Sequence, residues 1–334
     1  MAGDGRARLR LLASHPAHTD DGRHGVTIQA MTPLVGHLLS LQTTDGGFGV
    51  RAGIPSTTEP TALALLALED EHDAVAVTAA RRARAWLEGA QTADGGWPAV
   101  ATIAEPSWAT ALAVLALGRD ETTREPALAG ARWLLGQAGA APPRSQSFRD
   151  WLLGREAIVV MDDTLTGWPW AHGTFSWVEP TAYAVLALDQ LRALLPQELV
   201  TRRLDVARRM LVDRRCANGG WNYGNSRVLG EDLWPYPDTT ALALLALRRG
   251  PGDPAQQATS LDALVRMLAE NGSGLATALG ILALDAYGRD VAALRVRLRE
   301  RFVHTGFRGE TRALAYAALA LGTGARTLLE SPRA

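Results

Sequence analysis

Apolar residues run along this chain in six short blocks of alanine and leucine, each ending in Leu-Ala-Leu and beginning near Thr61, Thr110, Thr181, Thr240, Thr277 and Leu314. Stretches such as Ala62 to Leu68 and Ala241 to Leu247 hold no polar residue, and a helix without a polar face must be buried on every side. Between the blocks lie amphipathic segments with one charged face, at about 30–41, 74–90, 124–137, 197–215, 255–270 and 290–303. Six buried helices alternating with six half-exposed ones predict an all-α fold, an (α/α)6 toroid in which an inner ring is enclosed by an outer one through short αα-hairpins.

A second periodicity marks the turns. Gln42-Thr43-Thr44-Asp45-Gly46-Gly47-Phe48 is repeated as Gln91-Thr92-Ala93-Asp94-Gly95-Gly96-Trp97, and Asn218-Gly219-Gly220-Trp221 is a third, partial copy. Each leads into an apolar block, so the unit is a repeat. The glycine pairs fit turns at outer-helix ends, where a positive φ is needed. Residues 1 to about 28 read as a mobile tail and 29–334 as a single toroid, with an insertion at about 138–178 between the second and third repeats. The first part of the insertion, Gly139 to Ser147, is a Pro/Ser/Arg loop; its second part holds Asp162-Asp163-Thr164 and Gly167-Trp168-Pro169-Trp170. Long insertions at a toroid rim are where function usually resides.

Composition narrows the chemistry. All 34 basic residues are arginine, which excludes Schiff-base catalysis and a P-loop lysine. A net charge of -1 gives no electrostatic case for nucleic acid. The single Cys216 excludes an internal disulfide and a multi-thiolate zinc site, and suits a reducing compartment. The charged first thirty residues do not read as a signal peptide, and no stretch approaches the roughly 18 apolar residues of a membrane span. A soluble, cytoplasmic protein is expected, with peripheral membrane contact left open and the oligomeric state unspecified.

The Gln-x-x-Asp-Gly-Gly-(Phe/Trp) element resembles the QW repeat of the squalene-hopene cyclase and class II terpene cyclase families, and more distantly the glycine repeats of protein prenyltransferase β subunits (the prenyltransferase and squalene oxidase repeat). The resemblance covers roughly residues 30 to 322, one toroid, whereas squalene-hopene cyclases use two such domains. It implies chemistry at inner-helix N-termini. The Asp-x-Asp-Asp-Thr-Ala proton-donor motif aligns with Tyr236-Pro237-Asp238-Thr239-Thr240-Ala241, which puts Asp238 on the donating aspartate and replaces both flanking carboxylates. The zinc site of the prenyltransferases aligns with Asp238-Thr239-Thr240 and lacks its Cys and His, so no metal and no cofactor are expected.

The resemblance therefore implies proton-initiated cyclisation of an isoprenoid or other apolar small molecule, with Asp238 as acid. Burial among aromatics would keep such a carboxyl protonated. A first-turn acid is also what a helix N-terminus favours, and both readings of Asp238 stand. Glu59 and Glu179 occupy the equivalent place before Pro60 and Pro180 and read as caps, with Glu179 also in reach of a ligand. Asp162 and Asp163 are secondary acid candidates, more simply a loop element; His172 reads as solvent-facing. Ten tryptophans are many for this length. Trp97 and Trp221 read as braces of the repeat. Trp168, Trp170 and Trp177, in the insertion, together with Tyr223, Trp234 and Tyr236, read as walls of an apolar cavity, since aromatic faces stabilise cations. The rival reading is a non-catalytic toroid that binds a lipid or a partner protein.

Overall fold

The computed structural model describes residues 32–100, 102–140, 161–250, 252–322 and 324–330. The expected tail, residues 1–28, and most of the Gly139 to Ser147 loop lie outside the described residues. The inner ring comprises α2 (Thr58–Leu68), α4 (Thr110–Leu117), α6 (Val178–Gln190), α8 (Pro237–Leu247), α10 (Gly274–Ala286) and α12 (Thr311–Leu321). Each packs against the next, and α12 packs back on α2, so the ring closes. Every residue of α4 is buried and α2 leaves only Glu59 outside the core, as the missing polar face requires.

The outer ring comprises α1 (Pro33–Leu39), α3 (Ala74–Ala90), α5 (Arg124–Gly136), α7 (Gln197–Asp213), α9 (Pro254–Asn271) and α11 (Ala292–Thr305). Helices α3, α5, α7, α9 and α11 each pack on the inner helix that precedes them, whereas α1 packs on α12. The first helix thus completes the last repeat. The seam is made by bonds that also join other neighbours: the Thr311 amide donates to the Val50 carbonyl at 3.0 Å, as Val178 donates to Tyr223 at 2.9 Å. Because each unit runs inner helix then outer helix, all six inner N-termini open on one face of the ring. A short α13 (Arg326–Leu329) packs on α6 at the other face. There Arg119 holds the Thr327 carbonyl at 2.8 Å and Glu69 at 2.7 Å.

The turn motif acts as a clip. Gln42 Nε2 donates to Gly46 O at 2.9 Å and to Ala79 O of the next outer helix at 2.8 Å; Gln91 Nε2 does the same to Gly95 O at 2.9 Å and Pro126 O at 2.9 Å. The first glycine of each pair has positive φ: +96° at Gly46, +92° at Gly95 and +97° at Gly219. Among the described residues, β structure is confined to isolated bridges and a two-residue hairpin, β1 (Arg227–Val228) with β2 (Glu231–Asp232). No described helix is long and apolar enough to cross a membrane.

Candidate functional site at the mouth of the ring

Aligning the apolar blocks places one residue at or just before the first turn of each inner helix, two positions before Thr61, Thr110, Thr181, Thr240, Thr277 and Leu314, in a common layer: Glu59, Trp108, Glu179, Asp238, Leu275 and Arg312. Four residues further on, one turn deeper on the same helix face, α6 carries Tyr183 and α12 carries Tyr316. Helices α6 and α12 are opposite in the ring. Even so, the Tyr183 and Tyr316 hydroxyls hydrogen-bond at 2.8 Å, and Arg312 Nη2 donates to a Glu179 carboxylate oxygen and to Tyr183 Oη at 3.2 Å. Arg312 Nη1 also lies 3.3 Å from Glu59 Oε1. The bore is therefore bridged by a polar network just below its mouth.

The electrostatics follow from the count of charges in a desolvated space. Burial opposes the charge on Arg312, but the groups facing it, Tyr183, Glu179 and Glu59 among them, outweigh burial and hold the guanidinium protonated. Burial raises the Glu59 carboxyl above the ordinary range; Arg312 pulls it back, while Glu179 and Glu310 push it up again. One of its oxygens is buried without a hydrogen-bond partner. Two carboxylates, Glu59 and Glu179, share the Arg312 guanidinium, and Asp238 takes the equivalent position on α8. The reading of Glu59 and Glu179 as caps is corrected: neither α2 nor α6 has a side-chain cap, and both carboxylates face Arg312.

Aromatic side chains stand around this layer. Trp108 stacks on Tyr183 with centroids 6.2 Å apart and meets the edge of Trp170 at 4.6 Å. Tyr223 and Tyr236 lie 5.1 Å apart. Desolvation raises the Tyr223 hydroxyl pKa, helped by the charges of Asp238 and Glu179. The structure thus brings Asp238, Glu179, Tyr223, Tyr236 and Trp170 to one mouth. Trp177 is half-buried at the start of α6 against Gly224. Trp234 is 78% exposed on the outer rim, a position that does not wall the bore. Asp162 and Asp163 are not brought to Asp238. The Asp162 amide donates to Asp213 on outer helix α7 at 3.2 Å, and its exposed carboxylate accepts from Thr164, which lowers its pKa. His172 is exposed.

Trp168 is a correction. It is 2% exposed, its amide donates to Thr181 Oγ1 at 2.9 Å and its indole to Leu134 O at 2.9 Å. Trp97 makes the same pair of bonds to Thr110 and Leu87, and Trp221 to Thr240 and Leu211. Each indole satisfies a carbonyl in the last turn of the preceding outer helix. Gly167-Trp168 is therefore the third repeat's turn, stripped of its glutamine, and Trp168 braces the ring instead of lining it. Arg203 covers its face at 3.6 Å and donates to the carbonyls of Thr166, Gln137 and Gly167.

No family model matches the sequence, and no curated protein matches it significantly. Solved structures do match. The type II terpene cyclase MstE from Scytonema superposes with a TM-score of 0.53 at 17% identity, over 88% of this chain and 96% of that one. A cellobiose 2-epimerase from Spirochaeta thermophila gives 0.56 at 14% identity over 88% and 93%. An endo-1,4-D-glucanase from Vibrio fischeri gives 0.55 at 12% identity over 87% and 94%. The chain is thus similar in fold to a type II terpene cyclase and to other α/α-toroid enzymes, and the fold does not choose among their chemistries.

Proposed function

We propose that this toroid is a terpene-cyclase-like enzyme that binds an isoprenoid chain in the aromatic mouth and starts its cyclisation by protonating an alkene. The observation that carries this reading is the layer that sets Asp238 level with Trp108 and with Glu59 and Glu179 on Arg312, beside Trp170 and the Tyr223–Tyr236 pair. A carboxylic acid that keeps its proton at neutral pH is the group such a step needs. Asp238 transfers a carboxyl proton to the alkene carbon, forming a C–H bond and leaving a carbocation whose charge the aromatic faces stabilise by roughly 0.5–2 kcal/mol each. The carbocation returns a proton to a carboxylate when the product double bond forms, so the substrate is isomerised and the acid restored. Glu59, whose proton burial favours, is the second acid of the layer. Exposed apolar side chains on the rim, including Ile54, Phe175, Leu229 and Trp234, suit entry of an apolar chain or contact with a lipid surface.

One observation favours the rival reading, a toroid that binds without catalysis. The Tyr183–Tyr316 and Arg312–Glu179 bridges cross the bore directly below the mouth and limit how deep a ligand reaches. Incubation of the protein with a panel of polyprenyl substrates separates the two: cyclised product lost in Asp238→Asn supports the enzyme, and saturable binding of intact substrate supports the rival.

A further inference from the structure

We propose a second ligand site, for the phosphate or diphosphate group of a small molecule, on the face of the ring opposite the mouth. A cleft of about 550 Å³ lies there between the ends of α8, α10 and α12, outer helix α11 and the short α13. Among the described residues its walls carry Arg248, Arg249 and Arg295 against Asp285 and Glu330, an excess of positive charge that an anion offsets. A phosphate group carries about two negative charges near pH 7.

Helix C-termini alone attract arginine, because their carbonyl ends are partially negative. That demand is met here by one nitrogen of each of two guanidinium groups. Arg248 Nε donates to Ala286 O at 2.8 Å and Arg295 Nε to Ala320 O at 3.2 Å. Anchored in this way, the two side chains are held at the cleft with their terminal nitrogens uncommitted to backbone. Arg248 also rests 5.2 Å from the Tyr287 ring centroid. Asp285 offsets Arg295, its carboxylate standing 3.5 Å from Nη2, which leaves Arg248 and Arg249 without a carboxylate in salt-bridge contact among the described residues. Guanidinium forks fixed on separate elements suit a tetrahedral oxyanion, which they can bond along two edges. The volume exceeds what one phosphate fills and leaves room for an organic portion.

The site does not depend on the mouth chemistry, and its test reads binding instead of turnover. Isothermal titration of the full chain with sodium pyrophosphate, and separately with geranyl diphosphate, should show one saturable site. Arg248→Gln and Arg249→Gln, both at exposed positions, should each weaken binding about 10-fold or more, the loss expected for a charged hydrogen bond. Arg81→Gln, on outer helix α3, should leave it unchanged, with circular dichroism confirming that all variants fold. Tighter binding of geranyl diphosphate assigns the site to an organic diphosphate, and equal binding assigns it to the free anion. Absence of saturable binding, equal affinity in the Arg248/Arg249 double variant, or an equal loss in Arg81→Gln overturns the proposal.

Discussion

Tyr183 and Tyr316, on inner helices that face each other across the ring, join their hydroxyls at 2.8 Å and close the bore beneath the acid layer. Both are fully buried, and desolvation raises both phenol pKa values, so the pair stays neutral and forms a fixed floor. Tyr316→Phe should keep the ring intact, at a cost of about 1–3 kcal/mol for the buried Tyr183 hydroxyl it leaves short of a partner. Thermal denaturation of the variant measures that cost.

Arg312 is the charge that allows Glu179 to be buried. Arg312→Met should destabilise the protein by about 3–5 kcal/mol, because it strands a buried carboxylate. Adding Glu179→Gln should recover part of the loss, since the stranded charge is then gone. Chemical denaturation of the single and double variants checks the order.

Glu59 gives the pH dependence a sign. Its carboxyl pKa is raised in the folded protein, chiefly by burial, above the ordinary 4.5. The folded state therefore binds the proton more tightly than the unfolded chain, and the contribution of Glu59 to stability is present below pH 4.5 and is lost as pH rises through the folded pKa. Glu59→Gln should match wild type at low pH and become relatively more stable as pH rises. Melting temperatures of the pair measured from pH 4 to 8 test this; a difference that shrinks with rising pH contradicts it.

Two tryptophans two residues apart should behave differently. Trp168→Ala should cost about 3–5 kcal/mol, as removal of a buried aromatic does, and loosen Arg203. Trp170→Ala should cost about 0.5–1.5 kcal/mol for its aromatic contact while weakening ligand binding at the mouth. Denaturation and substrate titration of the two variants separate brace from wall.

The rings were legible in the sequence because Ala/Leu blocks without a polar face have nowhere to go but the interior. The mouth was legible only in part. Trp168 stands thirteen residues before Thr181, as Trp97 does before Thr110 and Phe48 before Thr61. That spacing marks it as a repeat position, but the absent glutamine and Thr166 in place of the first glycine hid it inside an insertion. Arg312 was missed for another reason. The last repeat lacks the threonine that anchors the others and carries Leu314 in its place, so the layer position two residues earlier drew no notice. Glu179 looked like a cap because a first-turn acid has a sufficient local explanation; its partner lies 133 residues away in sequence, and only ring closure brings them together. Thr277 shows the converse. It keeps the repeat's threonine, yet its hydroxyl is buried without a partner, since Gly272-Ser273-Gly274 supplies no aromatic turn to receive it.

In the proposed function, an acid in the Glu59, Glu179 and Asp238 layer starts a cyclisation by delivering a proton to carbon. Turnover of polyprenyl substrates in deuterium oxide, followed by mass spectrometry, reads that proton transfer. Cyclised product should carry one deuterium at the initiating carbon and should be abolished in Asp238→Asn, a change that preserves size and should leave the fold intact. Product without deuterium, or product formed at the wild-type rate by both Asp238→Asn and Glu59→Gln, would contradict it.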